Sequence, residues 1–412
     1  MTNSKNNVIL LIYIMLERVM KHKIISLSNQ YPIVTVTGPR QSGKTTLCRM
    51  AFPDKAYVSL EDLDRRRLAR DDPRSFLGKL QNGGIIDEVQ RVPELFSYIQ
   101  THVDEINKEG MYILTGSHQF LLLDSVTQSL AGRTALLKLL PFSFDEIYKR
   151  AQSETVSLDK LLYTGFYPRI YDKELNPTEN SANYIATYVE RDVRALLNVK
   201  NLLPFEKFLK LCASRTGQLL NLNSLANECG ISHNTARSWL SVLEASYIVY
   251  LLRPHHKNFS KRLIKSPKLY FLDVGLAAYL LDIYNEKHIA NHQLKGALFE
   301  TLIVGELIKA RFNCGLPDNL YFFRDNIGNE VDVLLDFGSF IIPIEIKSGT
   351  SLTVNSFRGL RYYKKVSGAL SSISLIFYGG NESYNEQDTK VTSFRDINLV
   401  GEILRSGFEQ KN

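Results

Sequence analysis

Cysteine is scarce in this chain of 412 residues, and its four cysteines are scattered. Cys48, Cys212, Cys229 and Cys314 form no C-x-x-C pair. This spacing excludes a zinc ribbon and the disulfide framework of a small secreted domain. Isolated cysteines are typical of proteins that work in a reducing cytosol.

The chain also lacks an apolar run long enough to cross a bilayer. The N-terminal run from Val8 to Leu16 is too short, and Glu17 and Arg18 interrupt it. No small-residue cleavage site of an export signal follows it. We therefore predict an amphipathic first helix and a cytoplasmic protein with no membrane partner.

Neither sign of charge dominates, since 50 Lys and Arg residues face 43 Asp and Glu residues. The net charge of +7 is compatible with a polyanionic partner and does not require one. A hydrophobic content of 44% and a charged content of 23% argue for a folded protein and against disorder. The length allows two or three domains.

A phosphate-binding loop is the strongest motif in the sequence. A β-branched run leads into the segment GPRQSGKTT, which has the form Gly-x4-Gly-Lys-Thr, and helix-forming residues follow. Its glycines let backbone N–H groups cradle phosphate oxygens beside a helix N-terminus. Lys44 is expected to reach the β- and γ-phosphates of ATP, and Thr45 to ligate Mg²⁺. The predicted nucleotide contacts are Gly38, Pro39, Arg40, Gln41, Ser42, Gly43, Lys44, Thr45 and Thr46.

Two further strands are predicted to end near the nucleotide. The segment GGIIDEVQ places Asp87 and Glu88 after a short apolar run. Asp87 is suited to the Mg²⁺ shell, and Glu88 to polarising the attacking water. The segment MYILTGS ends in Ser117, which is either a γ-phosphate sensor or an ordinary turn residue.

Arg133, in the segment SLAGRTALL, admits two interpretations. It could be an arginine finger that acts on its own chain or on a neighbouring subunit. The other interpretation is a structural salt bridge. An arginine finger that acts between subunits is compatible with a homo-oligomer.

The ordered set of motifs resembles a large prokaryotic family. The segments GPRQSGKTTL, YVSLED, GGIIDEVQRVPELF, ILTGS, SLAGR and LPFSFDEI are similar, in this order, to AAA-family ATPases with a C-terminal domain of unknown function. YVERDVRALLNV, SPKLYFLDVGLAAYL and GALFETLIVGEL extend the resemblance over nearly the whole chain. It implies an α/β P-loop NTPase core of the AAA type, a winged-helix element and a restriction-endonuclease-like C-terminal domain.

The middle of the chain predicts helices and then a helix-turn-helix. Helical patterns run from about Ser153 to Ser214, broken by the loop TGFYPRI. Two short helices, Leu222 to Cys229 and His233 to Tyr247, flank a Gly-Ile-Ser turn, and apolar strands at 247–252 and 268–272 would form a wing. The residues proposed to meet DNA are Asn234, Thr235, Arg237, Arg253, His255, His256, Lys257, Lys261, Arg262 and Lys265. A packing module with a solvated basic loop is the alternative.

Near the C-terminus, EVDVLLDFGSFIIPIEIKSG predicts a β-hairpin with a polar face. The period of two places Glu345 and Lys347 on one face, and a turn at Phe337-Gly338-Ser339 would bring Asp332 next to them. Asp332 and Glu345 are expected to bind Mg²⁺, with Lys347 positioning a water molecule. An amphipathic helix from Gly296 to Phe312 would direct Glu300 toward the same site. This order of residues resembles restriction-endonuclease-like nucleases, whereas a solvated, charged hairpin is the plainer interpretation.

We therefore predict an ATPase that uses ATP and Mg²⁺ and whose nucleotide state is coupled to a DNA-associated, nuclease-like C-terminal domain. The alternative is a nucleotide-dependent switch or scaffold whose C-terminal domain only binds a partner. The predicted divisions are an AAA-like core at 1–150, a helical connector at 151–214, a winged helix at 215–280 and the nuclease-like domain at 285–412.

Overall fold

The computed structural model describes residues 16–117, 129–148, 155–188, 202–255, 265–368 and 373–397. A parallel sheet of five strands forms its first part. The strands lie in the order β2-β3-β4-β1-β5, and all neighbours are parallel. Their carboxyl ends therefore meet at one edge of the sheet. The strands are β1 (Ile33–Thr37), β2 (Ala56–Ser59), β3 (Gly84–Asp87), β4 (Tyr112–Gly116) and β5 (Thr134–Lys138).

Helices cover both faces of this sheet, as right-handed crossovers between parallel strands require. The central strands β1, β3 and β4 are buried along their whole length, which explains their apolar, β-branched sequences. The predicted helix over Val8–Leu16 lies almost wholly outside the described residues. The helices here are α1 (Met20–Ser28), α2 (Lys44–Ala51), α3 (Leu63–Asp71), α4 (Pro73–Gly78), α5 (Leu95–Ile106) and α6 (Phe144–Ile147).

The described parts of the predicted connector, 155–188 and 202–214, are mostly helical, and the segment TGFYPRI is more than a loop. It contains Pro168 at the first position of a short helix, where its missing N–H group costs nothing. The connector helices are α7 (Leu158–Thr164), α8 (Pro168–Asp172), α9 (Pro177–Tyr188) and α10 (Leu203–Ser214).

Two helices joined by a tight turn follow the connector. They are α11 (Leu222–Cys229) and α12 (His233–Ala245). Gly230 has the left-handed φ of 68° that ends α11, and the Ser232 hydroxyl accepts the Thr235 N–H at 3.0 Å at the start of α12. Trp239 of α12 packs edge-on against Phe205 and Phe208 of α10, which fixes the pair on the connector.

The hairpin after α12 belongs to a sheet of nine strands. The order is β13-β14-β12-β11-β10-β9-β7-β8-β6, and β7 pairs with β8 on one side and β9 on the other. The strands are β6 (Gln218–Leu219), β7 (Val249–Pro254), β8 (Lys268–Phe271), β9 (Leu320–Arg324), β10 (Glu330–Asp336), β11 (Ile341–Lys347), β12 (Ser374–Tyr378), β13 (Tyr384–Glu386) and β14 (Thr389–Ser393).

The middle and C-terminal parts consequently share one sheet and one hydrophobic core. That core includes buried side chains from Leu140 to Ile397. The boundary predicted near residue 285 therefore crosses a continuous structure, because the backbone N–H and C=O groups along one edge of β7 pair with β9. The remaining helices are α13 (Val274–Leu280), α14 (Glu286–Ile289), α15 (Lys295–Asn313) and α16 (Arg358–Ser367).

Helix α15 is the central element of this arrangement. It contacts β5 of the first sheet, and β8 and β11 of the second. The prediction of an amphipathic helix is wrong, because α15 is buried on all sides and its charged residues Glu306, Lys309 and Arg311 are buried with it. None of the described helices is both long and apolar enough to cross a membrane.

Candidate functional site

The phosphate-binding loop leaves the carboxyl end of β1 and enters α2 at Lys44. Gly38 has a φ of +151° and Gly43 a φ of +87°. A Cβ atom on Gly38 would lie 2.0 Å from the carbonyl oxygen of Leu139, so only glycine fits at this position. The loop thus has the conformation that turns backbone N–H groups toward an anion.

The Lys44 ammonium group folds back onto the loop. Its Nζ atom donates to the carbonyl oxygens of Gly38, at 3.0 Å, and Pro39, at 2.7 Å. Burial removes water from this ammonium group and lowers the pKa of Lys44 to about 8, although the nearby Glu88 and Asp87 carboxylates act against that shift. Phosphate oxygens would provide the anionic partner that this buried cation lacks.

Asp87, at the end of β3, collects three hydroxyl donors. Its Oδ2 atom accepts Thr45 Oγ1 at 3.0 Å and the Tyr57 hydroxyl at 2.9 Å, and its Oδ1 atom accepts Thr115 Oγ1. Thr45 and Asp87 therefore lie where a P-loop protein holds Mg²⁺ between a hydroxyl and a carboxylate oxygen. The two residues fit this ion.

Glu88 has an unusual backbone, with φ 55° and ψ 42° in the left-handed region. A non-glycine residue in this region costs roughly 1–3 kcal/mol, and such strain concentrates at functional sites. Ser117 Oγ at 3.1 Å and Gln90 Nε2 at 2.7 Å both donate to Glu88 Oε2. Ser117 thus lies beside Glu88 at the end of β4, so the structure brings together all the residues predicted here from three strands.

A cleft of about 660 Å³ opens over these groups. Its floor is the P-loop, and its other wall comes from the connector. That wall is lined by Arg169 and Asp172 of α8, by Lys173 directly after α8, and by Thr187 of α9. No sequence motif marks these residues, because the segment TGFYPRI predicted only a loop.

Arg133 does not lie in this cleft. It precedes β5 at the amino end of the sheet, where its carbonyl oxygen accepts the Ile33 N–H at 3.2 Å, while the P-loop follows the carboxyl end of β1. Its guanidinium group donates to both carboxylate oxygens of Asp104, at 2.6 and 2.8 Å. An arginine finger acting on its own chain is therefore wrong, and the geometry is that of the structural salt bridge.

A buried arginine supports the P-loop from behind. Arg18 is 4% exposed and donates to the carbonyl oxygens of Ser42 and Leu140, each at 2.7 Å, and to Glu146 at 3.1 Å. Glu146 also accepts the N–H groups of Val19 and Ser143. Sequence reasoning missed this network, because Arg18 had no motif around it.

The second group of candidate residues lies on the β10–β11 hairpin. Its register pairs Val333 with Ile344, so the predicted neighbours Asp332 and Glu345 lie opposite each other. Asp332 Oδ2 accepts the Ile346 N–H at 2.8 Å and Lys347 Nζ at 3.2 Å, and Lys347 also donates to Glu345. The predicted convergence of Asp332, Glu345 and Lys347 is therefore present.

The two carboxyl groups have opposite electrostatic environments. Burial and the negative charge of Asp332 raise the pKa of Glu345 to about 8. Burial also acts to raise the pKa of Asp332, but the ammonium groups of Lys347 and Lys268 outweigh it and hold that pKa below its usual value. Protonation is therefore easier at Glu345 than at Asp332.

Glu300 approaches the hairpin from α15, but a residue that the sequence did not suggest intervenes. Lys268 of β8 lies 3.0 Å from Glu300, 2.5 Å from Glu330 and 3.9 Å from Asp332. Tyr270, two residues along the same strand, donates its hydroxyl to Glu300. Arg324 pairs with Glu330 at 3.0 Å and braces the neighbouring strand.

The carboxyl groups of Asp332 and Glu345 are oxygen ligands of the kind that Mg²⁺ prefers. Lys347 donates to both of them, so an ion held jointly with water would have to displace this ammonium group. Within the described ranges, no group of three or more acidic, histidine or cysteine side chains is arranged to hold a metal ion. Glu300, which the sequence predicts to point toward the same site, is instead engaged by Lys268 and Tyr270.

Comparisons with known families divide the chain into three matched regions. Residues 30–148 match a family described as an AAA domain. Residues 155–287 and 295–397 match two domains of unknown function, DUF8612 and DUF4143. The chain is also 29% identical over 371 residues to uncharacterized proteins of Mycobacterium bovis and Mycobacterium tuberculosis, with 87% of this chain and 79% of each relative covered.

Solved structures give a loose similarity. A Walker-type ATPase of Pyrococcus abyssi has 13% identity and a TM-score of 0.41, over 65% of this chain and 96% of that protein. A STAND protein with a tetratricopeptide repeat sensor from Pyrococcus horikoshii has 10% identity and a TM-score of 0.24, over 74% of this chain and 48% of that one. Residues 30–148 are thus similar in sequence to an AAA domain and have the geometry of a P-loop.

Proposed function

We propose that this protein binds ATP with Mg²⁺ in the cleft above the P-loop and hydrolyses it. The convergence of Lys44, Thr45, Asp87 and Glu88 at the carboxyl ends of β1 and β3 carries this proposal. Bound Mg²⁺ would neutralise charge on the phosphates. Lys44 would leave its two carbonyl partners for the β- and γ-phosphates.

Glu88 is the group suited to activating water. Its carboxylate lies in the nucleotide cleft, and Ser117 and Gln90 fix one of its oxygens. The other oxygen, Oε1, is available to accept a proton from the attacking water. The strained backbone of Glu88 fits a residue that is held in place for chemistry rather than for stability.

The direct test is ATP hydrolysis by the purified protein with Mg²⁺, beside a Lys44→Ala variant. We expect turnover by the wild type and its loss in the variant, because a buried ammonium group at the β- and γ-phosphates is removed. Turnover that survives in Lys44→Ala would reject the assignment of this cleft.

Arg169 is expected to contribute to turnover from the opposite wall of the cleft. Its exposed guanidinium group lines the cleft and is suited to meet charge that develops on the transferred phosphate. Arg169→Ala should lower kcat by roughly 10²-fold with a smaller effect on ATP affinity. Steady-state hydrolysis and fluorescent-nucleotide binding measure the two effects. Arg74→Ala, at an exposed arginine of α4, is the matched control; equal losses in both variants would contradict the role.

The nucleotide state is coupled, in this proposal, to the C-terminal part of the chain through α15. The P-loop carbonyl of Ser42 binds Arg18, and Arg18 binds Glu146 of α6. The first residue of α6, Phe144, donates its N–H to Glu306 of α15 at 2.8 Å. Each of these groups is buried, so a displacement of the loop is passed on through contacts that exclude water.

The same helix reaches the C-terminal carboxyl cluster. Glu306 and Glu300 are six residues apart on α15, which is about 9 Å along a helix axis. Lys309 forms an ion pair with Glu306 at 2.8 Å and lies 4.0 Å from the ring centre of Phe166, which fastens the helix to the connector. These contacts support α15 as the element that links the two sites.

The C-terminal part is proposed to be nuclease-like and associated with DNA. Support comes from the neighbouring Asp332, Glu345 and Lys347, and from the winged-helix arrangement of α11, α12, β7 and β8. Asn234 and Arg237 are exposed on α12, as DNA contacts require, whereas the predicted basic residues His256, Lys257, Lys261 and Arg262 lie outside the described part of the chain. The test is cleavage of varied DNA and RNA with Mg²⁺ or Mn²⁺, and cleavage that survives Asp332→Ala would reject this site.

The second candidate function is a nucleotide-dependent switch or scaffold whose C-terminal part binds a partner without catalysis. The pairing of the carboxyl groups with Lys268 and Lys347 favours it, because closed ion pairs leave few free ligand positions. A protein that hydrolyses ATP, cleaves no nucleic acid and shows nucleotide-dependent exposure of its C-terminal part would be this switch.

A further inference from the structure

Lys268 is a cation from the middle of the chain that is buried among C-terminal carboxyl groups. It belongs to β8, yet its side chain is 3% exposed and lies among Glu300 of α15 and Glu330 and Asp332 of β10. No loop residue is involved. Three regions of the chain that are distant in sequence therefore meet at one ammonium group.

A metal ion held by these three carboxyl groups would have to take the place of this ammonium group. A divalent cation shared by the same three carboxylates would require their oxygens at about 2.0–2.6 Å from its centre. Lys268 Nζ already lies 2.5 to 3.9 Å from an oxygen of each. Two cations cannot occupy this volume, so the lysine and a metal ion at this position exclude each other.

The neighbouring residues hold Glu300 in this arrangement. Tyr270 is on the same face of β8 as Lys268, because strand side chains alternate with a period of two, and its hydroxyl donates to Glu300. On the other side, a Cβ atom at Gly217 would lie 3.5 Å from Glu300 Oε2. Glu300 is thus enclosed by elements of the middle region and faces Lys268.

We propose that Lys268 is the resident cation of the C-terminal site, occupying the position between Glu300, Glu330 and Asp332 that a divalent ion would otherwise take. Between Asp332 and Glu345 the Lys347 ammonium group is in place, so an ion there would have to displace it. This inference rests on the nuclease-like site proposed above and removes one metal position from it while β8 stays in place. It also makes the middle region part of that site.

The test is to measure Mn²⁺ binding to the full chain, without nucleotide, by electron paramagnetic resonance. Lys268→Met keeps the length of the side chain and removes its charge, so three carboxyl groups become available. We expect this variant to bind one more Mn²⁺ per chain than the wild type, or to bind Mn²⁺ at least tenfold more tightly. Lys268→Arg, which keeps the charge, and Lys210→Met, at an exposed lysine, should both match the wild type. Binding by a folded Lys268→Met that equals or falls below the wild type would overturn the proposal.

A second measurement, of thermal unfolding, applies even if the Lys268→Met variant is less stable than the wild type. Lys268→Met leaves carboxyl groups without their cation, so its thermal unfolding temperature should fall and then recover by several degrees when Mn²⁺ is added. The double variant Lys268→Met/Glu300→Gln should not recover, since a ligand is missing. A Lys268→Met protein whose unfolding temperature Mn²⁺ does not raise would also overturn the proposal. Neither readout depends on cleavage, so failure of the proposed nuclease activity is seen separately.

Discussion

Replacement of Glu88 by Gln is expected to reduce ATP turnover by about 10²- to 10⁴-fold, the contribution typical of a positioned general base. Glutamine has nearly the same shape and leaves an oxygen for Ser117, but it cannot take a proton from the attacking water. ATP affinity should change little, because Lys44, Thr45 and Asp87 stay in place. Single-turnover hydrolysis separates the chemical step from binding.

Glu94→Gln is the matched control for this prediction. Glu94 is an exposed glutamate of the same domain, at the start of α5 and outside the cleft. It should turn over ATP at the wild-type rate. If Glu88→Gln and Glu94→Gln behaved alike, Glu88 would not be the residue that activates water.

The local parts of both sites were predictable from the sequence. The P-loop motif follows a β-branched strand, so the role of Lys44 could be predicted from residues next to it. The register of the hairpin follows from a period of two and a short turn, so the proximity of Asp332 and Glu345 could be predicted in the same way. Arg18, Arg169 and Lys268 were missed for the opposite reason. Arg18 and its partner Glu146, for example, are 128 residues apart, and no local pattern encodes such a contact.

Helix α15 shows how a pattern can mislead. Its sequence predicted an amphipathic helix, but Glu306 and Lys309 pair with each other inside the protein. A buried ion pair and a solvated pair look the same in sequence, since the spacing of three residues suits both. Only the packing of the helix between two sheets distinguishes them.

Replacement of Glu306 by Ala is expected to lower the free energy of unfolding by about 3–5 kcal/mol. The variant leaves the Lys309 ammonium group, 2% exposed, without its carboxylate, and the Phe144 N–H without its acceptor. Denaturant unfolding measures the loss. Glu109→Ala, at an exposed glutamate, should change stability by no more than about 0.5 kcal/mol.

The double variant Glu306→Gln/Lys309→Met separates the cost of an unpaired charge from the value of the pair. It removes both charges and keeps an oxygen for the Phe144 N–H. Stability should return close to the wild-type value, because a buried ion pair is often replaceable by neutral side chains of similar volume. A double variant that is less stable than Glu306→Ala would contradict this account of the network.

Hydrogen exchange at the C-terminal hairpin tests the central proposal most directly, that a nucleotide bound in the P-loop cleft is coupled through α15 to the carboxyl cluster. Peptides covering α15, β10 and β11 would be followed by mass spectrometry with Mg²⁺ and either ADP or a non-hydrolysable ATP analogue. We predict that exchange in these peptides, including the Ile346 N–H bound to Asp332, differs between the two nucleotides in the wild type and not in Lys44→Ala. A nucleotide response confined to residues 30–148 would contradict the coupling.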